Sequence, residues 1–213
     1  MIGRVAGSSK HQRERRTSSE EVRQRILDSA ANQFAALGFE GASTRVIAEQ
    51  AGVHQAQIGY HVGSKDDLWR ATVDQLFARL RSQLDKALPQ QLDEPMPDPV
   101  GVFEDVIRLH VGHTAEHPQL SRIMLIESAL RSERVDWLLA HHVRPALAAL
   151  ELVWAEVRAA GGGRDVSAEE VFMMMISLAP TPFAQAALMR SLLGAERCVP
   201  ERHAEAMIEW ILG

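Results

Sequence analysis

The strongest constraint on the fold lies in residues 44–65, which read TRVIAEQAGVHQAQIGYHVGSK. This pattern predicts two short helices, the first beginning after Ser43 and the second covering 55–61. Gly52 and Val53 are predicted to form a sharp turn between them, because glycine supplies the backbone freedom that such a reversal needs. A short helix that follows a turn of this kind is the element that enters a DNA major groove. The segment therefore predicts a helix-turn-helix.

An apolar stripe precedes these two helices and predicts a first helix over 18–37. The stripe consists of Val22, Ile26, Ala30, Phe34 and Leu37. Ser18 followed by Glu21 is typical of a capping box at a helix start, and Gly38 is typical of a helix end. The three helices together predict a DNA-binding domain over 18–64.

Residues 1–17 lack periodicity and are predicted to form a flexible basic arm. Charge is distributed unevenly along the chain. Residues 1–70 contain ten Lys or Arg and eight Asp or Glu, a net charge of +2, although the whole chain carries −5. An acidic body with a basic N-terminal part fits a protein that meets phosphate at one end only, and the arm is a candidate for minor-groove or phosphate contact.

The remaining residues, 65–213, are predicted to form a larger helical domain. A fourth helix is expected to begin at Ser64, where Asp67 three residues later completes a capping box. A loop is expected to cover 88–99, and further helices to cover about 100–116, 118–130, 135–160 and 201–212. An apolar segment opens at Ser167 and is interrupted by Pro180 and Pro182. No stretch alternates at period two, so the predicted fold class is all-α.

Cysteine usage and hydropathy indicate where the protein resides. Cys198 is the sole cysteine, which excludes an intramolecular disulfide framework and fits a reducing compartment. No apolar run reaches the ~18 residues of a membrane span. We therefore expect a cytoplasmic protein without a membrane partner.

The N-terminal part resembles the TetR family of bacterial transcriptional regulators in its residues and in their order. The matching residues are Phe34, Ala35, Ala36, Leu37, Gly38, Phe39, Gly41, Ser43, Thr44, Ile47, Ala48, Ala51, Gly52, Val53, Ile58, Tyr60, His61, Gly63, Ser64, Lys65 and Leu68. Two positions depart from the family pattern: Gly59, where an aromatic residue or asparagine is common, and Val62, which is often phenylalanine. The resemblance implies a DNA-binding regulator, most simply a ligand-responsive repressor that binds a palindromic operator as a homodimer.

Helix three is expected to supply the groups that read base edges. His54, Gln55 and Gln57 are the candidates for direct readout, because glutamine can pair with adenine, and Ala56 could meet a thymine methyl group. Phosphate contacts are expected from Thr44, Arg45, Tyr60, His61 and Lys65. The resemblance favours Tyr60 and Lys65 among them.

The C-terminal domain is expected to hold an effector and to form the dimer, as the resemblance implies. Candidate lining residues for an unknown small-molecule effector are Phe103, Ile107, Met124, Trp137, His141, Phe172, Met175 and Phe183. The same residues could instead be plain core. The segments 171–193 and 201–212 are expected to pair with their twofold mates in a four-helix interface.

A metal-responsive regulator is an alternative, because three histidines are spaced at i, i+3 and i+7 on one helix face and their ring nitrogens could bind a metal. They are His110, His113 and His117. Glu116 lies beside them in the sequence. No metal or other cofactor is otherwise expected. A DNA-binding regulator without an effector is a further alternative, and activation instead of repression remains open.

An enzyme built on a helical bundle is the remote alternative. The sequence offers no phosphate-binding glycine loop, no HExxH motif and no nucleophile elbow, and Cys198 has no motif around it. No catalytic residue is therefore predicted.

Overall fold

The computed structural model describes residues 6–88, 96–130 and 132–213, with side chains from Ser19 onward except that of Arg197. The described residues contain helices and turns but no strand, and the predicted all-α class is confirmed. The chain divides into two compact units, 1–75 and 76–213. The division falls inside a helix, between Gln75 and Leu76, whereas the sequence analysis placed the domain boundary between residues 64 and 65.

The first unit contains α1 (Ala6–Gly41), α2 (Thr44–Ala51), α3 (Gln55–His61) and the first half of α4 (Lys65–Leu84). Helix α1 packs against both α2 and α3. Of the predicted stripe, Ile26, Ala30 and Phe34 are buried, whereas Val22 is half-buried and Leu37 is 54% exposed. Each following helix adds apolar side chains to the core of this unit. That core contains Ile26, Leu27, Ala30, Phe34, Ile47, Ala48, Ala51, Ile58, Leu68, Trp69 and Val73.

Helix α1 corrects two predictions about the N-terminus. It begins at Ala6, so most of the expected arm is helical, and Ser18 lies inside the helix and not at its start. Residues 6–17 contain no proline, and the run from Gln12 to Arg16 consists of residues that favour helix, so the helix extends past the capping signal. Residues 1–5 of the expected arm, and the side chains up to Ser18, lie outside the described residues. Gly38 has a φ of 68° and interrupts the helix where its end was predicted.

Among the described residues, the second unit contains the rest of α4 and eight further α-helices. These are α5 (Pro99–Glu116), α6 (Gln119–Ser128), α7 (Glu133–Leu138), α8 (Arg144–Ala159), α9 (Ala168–Leu178), α10 (Thr181–Ala184), α11 (Ala186–Leu193) and α12 (Pro200–Leu212). Helix α5 is central, because it packs against α8, α10 and α12. The core around it includes Phe103, Ile107, Trp154, Val157, Val171 and Ile211.

The helix predicted over 135–160 is present as an unbroken helical run from Glu133 to Ala159, but its hydrogen-bonding pattern changes in the middle. A π-helical turn, Leu139–Val143, separates α7 from α8. Pro145 explains the widened turn, because proline has no N–H to donate to the carbonyl four residues earlier. The predicted interruption near Pro180 and Pro182 is confirmed, since α9 ends at Leu178 and the short α10 follows.

Hydropathy along the described helices gives one further finding. No single helix is both long and apolar enough to cross a membrane. The segments Ala168–Ala184 and Ala186–Leu193 reach the required length and composition only together, and they meet at a bend of 78°.

Candidate nucleic-acid interface

The turn between α2 and α3 is held by backbone hydrogen bonds around a left-handed glycine. Gly52 has a φ of 67° and ψ of 39°. Its N–H donates to the carbonyl of Glu49 at 3.1 Å, and the N–H of Val53 donates to that of Ala48 at 3.0 Å. Arg25 of α1 also donates from Nε to the Ala51 carbonyl at 3.2 Å. The end of α2 is therefore fixed to α1, and the direction in which α3 leaves is set by the turn.

Helix α3 buries one apolar residue and presents its polar residues to solvent. Ile58 is 3% exposed and anchors the helix. The predicted readout residues His54, Gln55 and Ala56 are exposed, whereas Gln57 is half-buried. The structure thus brings the predicted base-contacting residues onto one short helix that packs against α1 and α2.

Both glutamines of α3 make hydrogen bonds within the unit. Gln55 donates from Nε2 to Oγ1 of Thr44 at 3.1 Å, so two of the predicted DNA-contacting residues pair with each other. Gln57 accepts from the His54 backbone N–H at 2.9 Å through Oε1. A bidentate pair with adenine uses the amide oxygen and nitrogen together. An amide nitrogen has two hydrogens and an amide oxygen has two lone pairs, so each glutamine can keep its intramolecular bond and still offer one donor and one acceptor to adenine.

The predicted phosphate-contacting residues lie at the ends of the helices. Tyr60 is 84% exposed, and its ring meets that of His61 edge to face at 5.0 Å. Arg45 is exposed in the first turn of α2. Lys65 places its ammonium 4.8 Å from the centre of the Phe39 ring and donates to the Glu40 carbonyl at 3.3 Å. An ammonium has three donors, so Lys65 keeps donors for a phosphate.

The start of α4 is fixed by the capping box that the sequence predicts. The Asp67 backbone N–H donates to Oγ of Ser64 at 3.1 Å, and Oδ2 of Asp67 accepts from the Ser64 N–H at 2.9 Å. The hydrogen bonds from Ser64 lower the pKa of the Asp67 carboxyl group. The cap holds the first turn of α4, and with it Lys65, in a defined position.

Gly59 and Gly52 form a matched pair for testing the backbone of this unit. A Cβ atom at either position would meet no atom within 4 Å, but only Gly52 has a positive φ. Gly59→Ala should therefore stabilise the unit by about 0.5–1 kcal/mol, because alanine favours helix. Gly52→Ala should destabilise it by about 1 kcal/mol or more, because alanine resists the left-handed conformation. Opposite shifts of the urea midpoint are expected, and shifts of equal sign would contradict the assigned turn.

The predicted effector-lining residues are distributed over very different environments. Phe103 and Ile107 have no exposed surface, and Met175 and Phe183 are also buried in the core. Met124, Trp137 and Phe172 are half-buried. His141 is exposed, and its Nδ1 lies 2.9 Å from the Trp137 carbonyl. Two of these residues thus lie on α7 and the π turn, away from the buried stripe of α5.

The histidines of α5 do not form a metal site in the structure. Across the described residues, no three His, Cys, Asp or Glu side chains are grouped so as to hold a metal ion. The rings of His113 and His117 are 5.0 Å apart and tilted. Burial, together with the nearby His113, lowers the pKa of His110 to about 4. Burial, together with the nearby His117 and Arg79, lowers that of His113 to about 4.

These two histidines predict how stability depends on pH. Their folded pKa values lie below the ordinary value of 6.5. Between pH 6.5 and 4 the unfolded chain therefore binds more protons, and the free energy of unfolding should fall as pH falls, by up to about 1.4 kcal/mol per pH unit per histidine. Urea midpoints at pH 7 and 5 test this. His113→Gln should reduce the loss, and the exposed His141→Gln should leave it unchanged; equal losses in all three proteins would contradict the prediction.

One buried acid was missed by the sequence analysis. Glu127, in the last turn of α6, is 1% exposed, and its Oε2 lies 3.1 Å from Nε of Arg134. Oε2 also accepts from the Ser132 hydroxyl group at 3.3 Å. The missed signal was spacing: Glu127 follows Leu120 by seven residues and Ile123 by four, which places it on the buried stripe of α6.

The two units define an all-α protein in which a helix-turn-helix unit precedes a larger helical unit. Comparison with known families then identifies it. Residues 26–72 match the family model of bacterial regulatory proteins of the tetR family, and residues 99–209 match the tetracyclin repressor-like C-terminal domain. The chain belongs to the TetR family, and the resemblance inferred from the residues is confirmed.

Curated relatives match over about half of the chain. The HTH-type transcriptional regulator RutR of Escherichia coli strain K12 is 30% identical over 102 residues, which are 48% of this chain and 45% of that protein. The transcriptional dual regulator CecR of Shigella flexneri is 32% identical over 93 residues, 42% of this chain and 41% of CecR. The aligned region therefore spans less than half of each curated relative.

Solved structures match over nearly the whole fold. HlyIIR, a hemolysin II transcriptional regulator, has a TM-score of 0.67 at 18% identity, with 92% of this chain and 99% of HlyIIR covered. The ketosteroid transcriptional regulator KstR2 of Mycobacterium tuberculosis has a TM-score of 0.64 at 14% identity, with 90% and 95% covered. At these identities the similarity establishes the fold.

Proposed function

We propose that the protein is a DNA-binding transcriptional regulator, most simply a ligand-responsive repressor that binds a palindromic operator as a homodimer. The observation that carries the proposal is the exposed polar face of α3, which includes His54 and Gln55 and is fixed by the left-handed turn at Gly52. Membership of a family of bacterial regulators supports it. No step of this function needs a catalytic residue or a cofactor.

Within the interface we assign base reading and phosphate binding to different residues. His54, Gln55, Ala56 and Gln57 meet base edges, while Thr44, Arg45, Tyr60, His61 and Lys65 meet phosphates. Gln57 and Lys65 offer a direct comparison between the two roles. A base-reading residue changes sequence preference, whereas a phosphate-binding residue changes affinity for all sequences.

The dimer is supported by apolar side chains that the second unit leaves exposed on α9, α11 and α12. They are Met173, Ile176, Leu178, Leu188, Leu192, Leu193 and Trp210. Leu188 and Leu192 lie one helical turn apart on α11 and are 57% and 70% exposed. Exposed apolar groups clustered on a few helices are typical of an oligomer interface. A twofold pair also explains a palindromic operator.

The effector is proposed to bind within the second unit and to act by preferring one of two arrangements of the dimer. A ligand shifts such an equilibrium only through its different affinity for the two states. Met124 and Trp137 are half-buried members of the predicted lining, and they lie on α6 and α7, the helices that carry Glu127 and Arg134. An effector-independent regulator would bind its operator with an affinity that no small molecule changes.

The experiment that tests the proposed function selects DNA with the purified full chain from a random duplex library. We expect a palindromic consensus, bound far more tightly than competitor DNA at physiological salt. Gln57→Ala should cost about 1–3 kcal/mol on the consensus and relax the preference at one position of each half-site. Lys65→Ala should weaken all sequences similarly and reduce the salt slope by about 1 per half-site. Selection without any consensus would overturn the regulator assignment.

A further inference from the structure

The carboxylate of Glu127 leaves one oxygen without a partner in the interior of the second unit. Oε2 is bonded to Arg134 and Ser132, but Oε1 has no hydrogen-bond partner and less than 1 Å² of exposed surface. Buried polar atoms in folded proteins are bonded in about nine cases of ten. An unbonded oxygen of a buried, charged group is costly, so this atom is suited to receiving a donor from outside the chain.

The charges around Glu127 determine whether a cationic, anionic or uncharged donor can bind to Oε1. Arg134 keeps its charge at any pH that proteins tolerate and already neutralises the carboxylate. A cationic ligand would leave an excess positive charge in a buried site, and an anionic ligand would face the free oxygen with like charge. An uncharged N–H or O–H group adds a hydrogen bond to an ionised acceptor and leaves the site neutral.

The surroundings of Glu127 indicate the rest of the ligand. Leu120 and Ile123 are buried on the same face of α6, and Met124 is half-buried one turn before the acid. On α7, Trp137 follows Arg134 by three residues, which places both on one side of that helix. The Trp137 ring stacks on His141 at 5.0 Å. Apolar and aromatic groups beside a single polar acceptor favour a mainly apolar molecule with one donor.

We propose that Glu127 is the polar anchor of the effector site, and that the effector is an uncharged, mainly apolar molecule whose hydroxyl or N–H group donates to Oε1. This inference rests on the proposed function and specifies the chemical class of its ligand. The effector reaches the closed oxygen when α7 shifts. Helix α7 has only six residues and ends in a π turn, which makes it the weakest helix bordering the acid.

Isosteric probes test the proposal on the full chain by calorimetry. 1-Phenylethanol, acetophenone and protonated 1-phenylethylamine share one skeleton and differ in donor and charge; 2-octanol, 2-octanone and 2-aminooctane repeat the comparison on a flexible skeleton. In at least one set, the alcohol should bind about tenfold more tightly than the ketone, as expected for a hydrogen bond to a charged acceptor. Exchange of the α7 amide hydrogens should slow when the alcohol binds.

Two variants separate anchoring from folding. Glu127→Gln can keep its oxygen on Arg134 and turn its amide N–H₂ toward the ligand, so the preference for the alcohol should vanish or reverse toward the ketone. Ser132→Ala removes a bond to Oε2 alone and should keep the alcohol preference. This change of preference in Glu127→Gln distinguishes an anchoring role from a merely structural one, because loss of a structural contact would lower the affinity for all probes alike.

Several outcomes would overturn the inference. They are equal affinities of alcohol and ketone in the unsubstituted chain, tightest binding of the amine, an alcohol preference that survives Glu127→Gln, or no binding of either probe set, which would leave Oε1 to a water molecule. Selection of a palindromic consensus by the same preparation would show that the proposed function stands when this inference fails. Absence of any consensus would overturn the proposed function, whatever the result with the alcohol and ketone probes.

Discussion

Replacing Leu188 and Leu192 together with arginine is expected to convert the proposed homodimer into monomers and to weaken consensus DNA binding by about 100-fold or more. Each leucine contributes about 1.5–3 kcal/mol when its exposed side chain is buried by a partner subunit. The double variant would also bury four guanidinium groups without counter-ions in a twofold interface, at several kcal/mol. A monomer reads only one half-site, so affinity for the palindromic duplex falls when dimerisation is lost.

Sedimentation velocity and fluorescence anisotropy on the selected duplex measure the two effects together. Leu125→Arg is the matched control, because Leu125 is a comparably exposed leucine, 55%, on α6 and outside the proposed interface. The control should remain dimeric and keep its affinity. A double variant that stays dimeric, or a monomeric unsubstituted chain, would show that the apolar surface of α11 serves another purpose.

Local signals in the sequence located the DNA-binding helices closely. Helix α3 covers Gln55–His61 as predicted, and the turn glycine and the capping box before α4 are both present. Short helices bounded by strong stop signals leave few alternatives, because glycine and cap residues act through their own backbone. The start of α1 was missed because a capping signal is weaker than a continuing run of helix-favouring residues.

The side-chain hydrogen bonds and ion pairs of the candidate sites could not be predicted from the sequence. The sequence placed Gln55 and Gln57 on the reading helix, but their bonds to Thr44 and to the His54 backbone depend on how α2 and α3 meet. The pairing of Glu127 with Arg134 likewise depends on the turn between α6 and α7. Such contacts follow from packing, which periodicity does not encode.

Phe103→Ala is expected to have the largest effect on stability. Phe103 has no exposed surface, and its ring centre lies 5.3 Å from that of Trp154 in the core around α5. Removing a buried phenylalanine costs about 3–5 kcal/mol, partly because the neighbours cannot close the cavity. This is a large share of the 5–15 kcal/mol that stabilises a typical domain. Urea unfolding should show a much lower midpoint with an unchanged slope.

The same variant separates core from effector lining for a residue that the sequence assigned to the lining. Leu152→Ala is the control, because Leu152 is 60% exposed on α8 and its truncation should change stability by less than about 0.5 kcal/mol. If Phe103 is a core residue, an alcohol probe should raise the urea midpoint of Phe103→Ala by no more than it raises the midpoint of the unsubstituted chain. If Phe103 instead borders a cavity, the loss should be small and a probe should recover it, because a ligand that binds the folded state stabilises it by mass action.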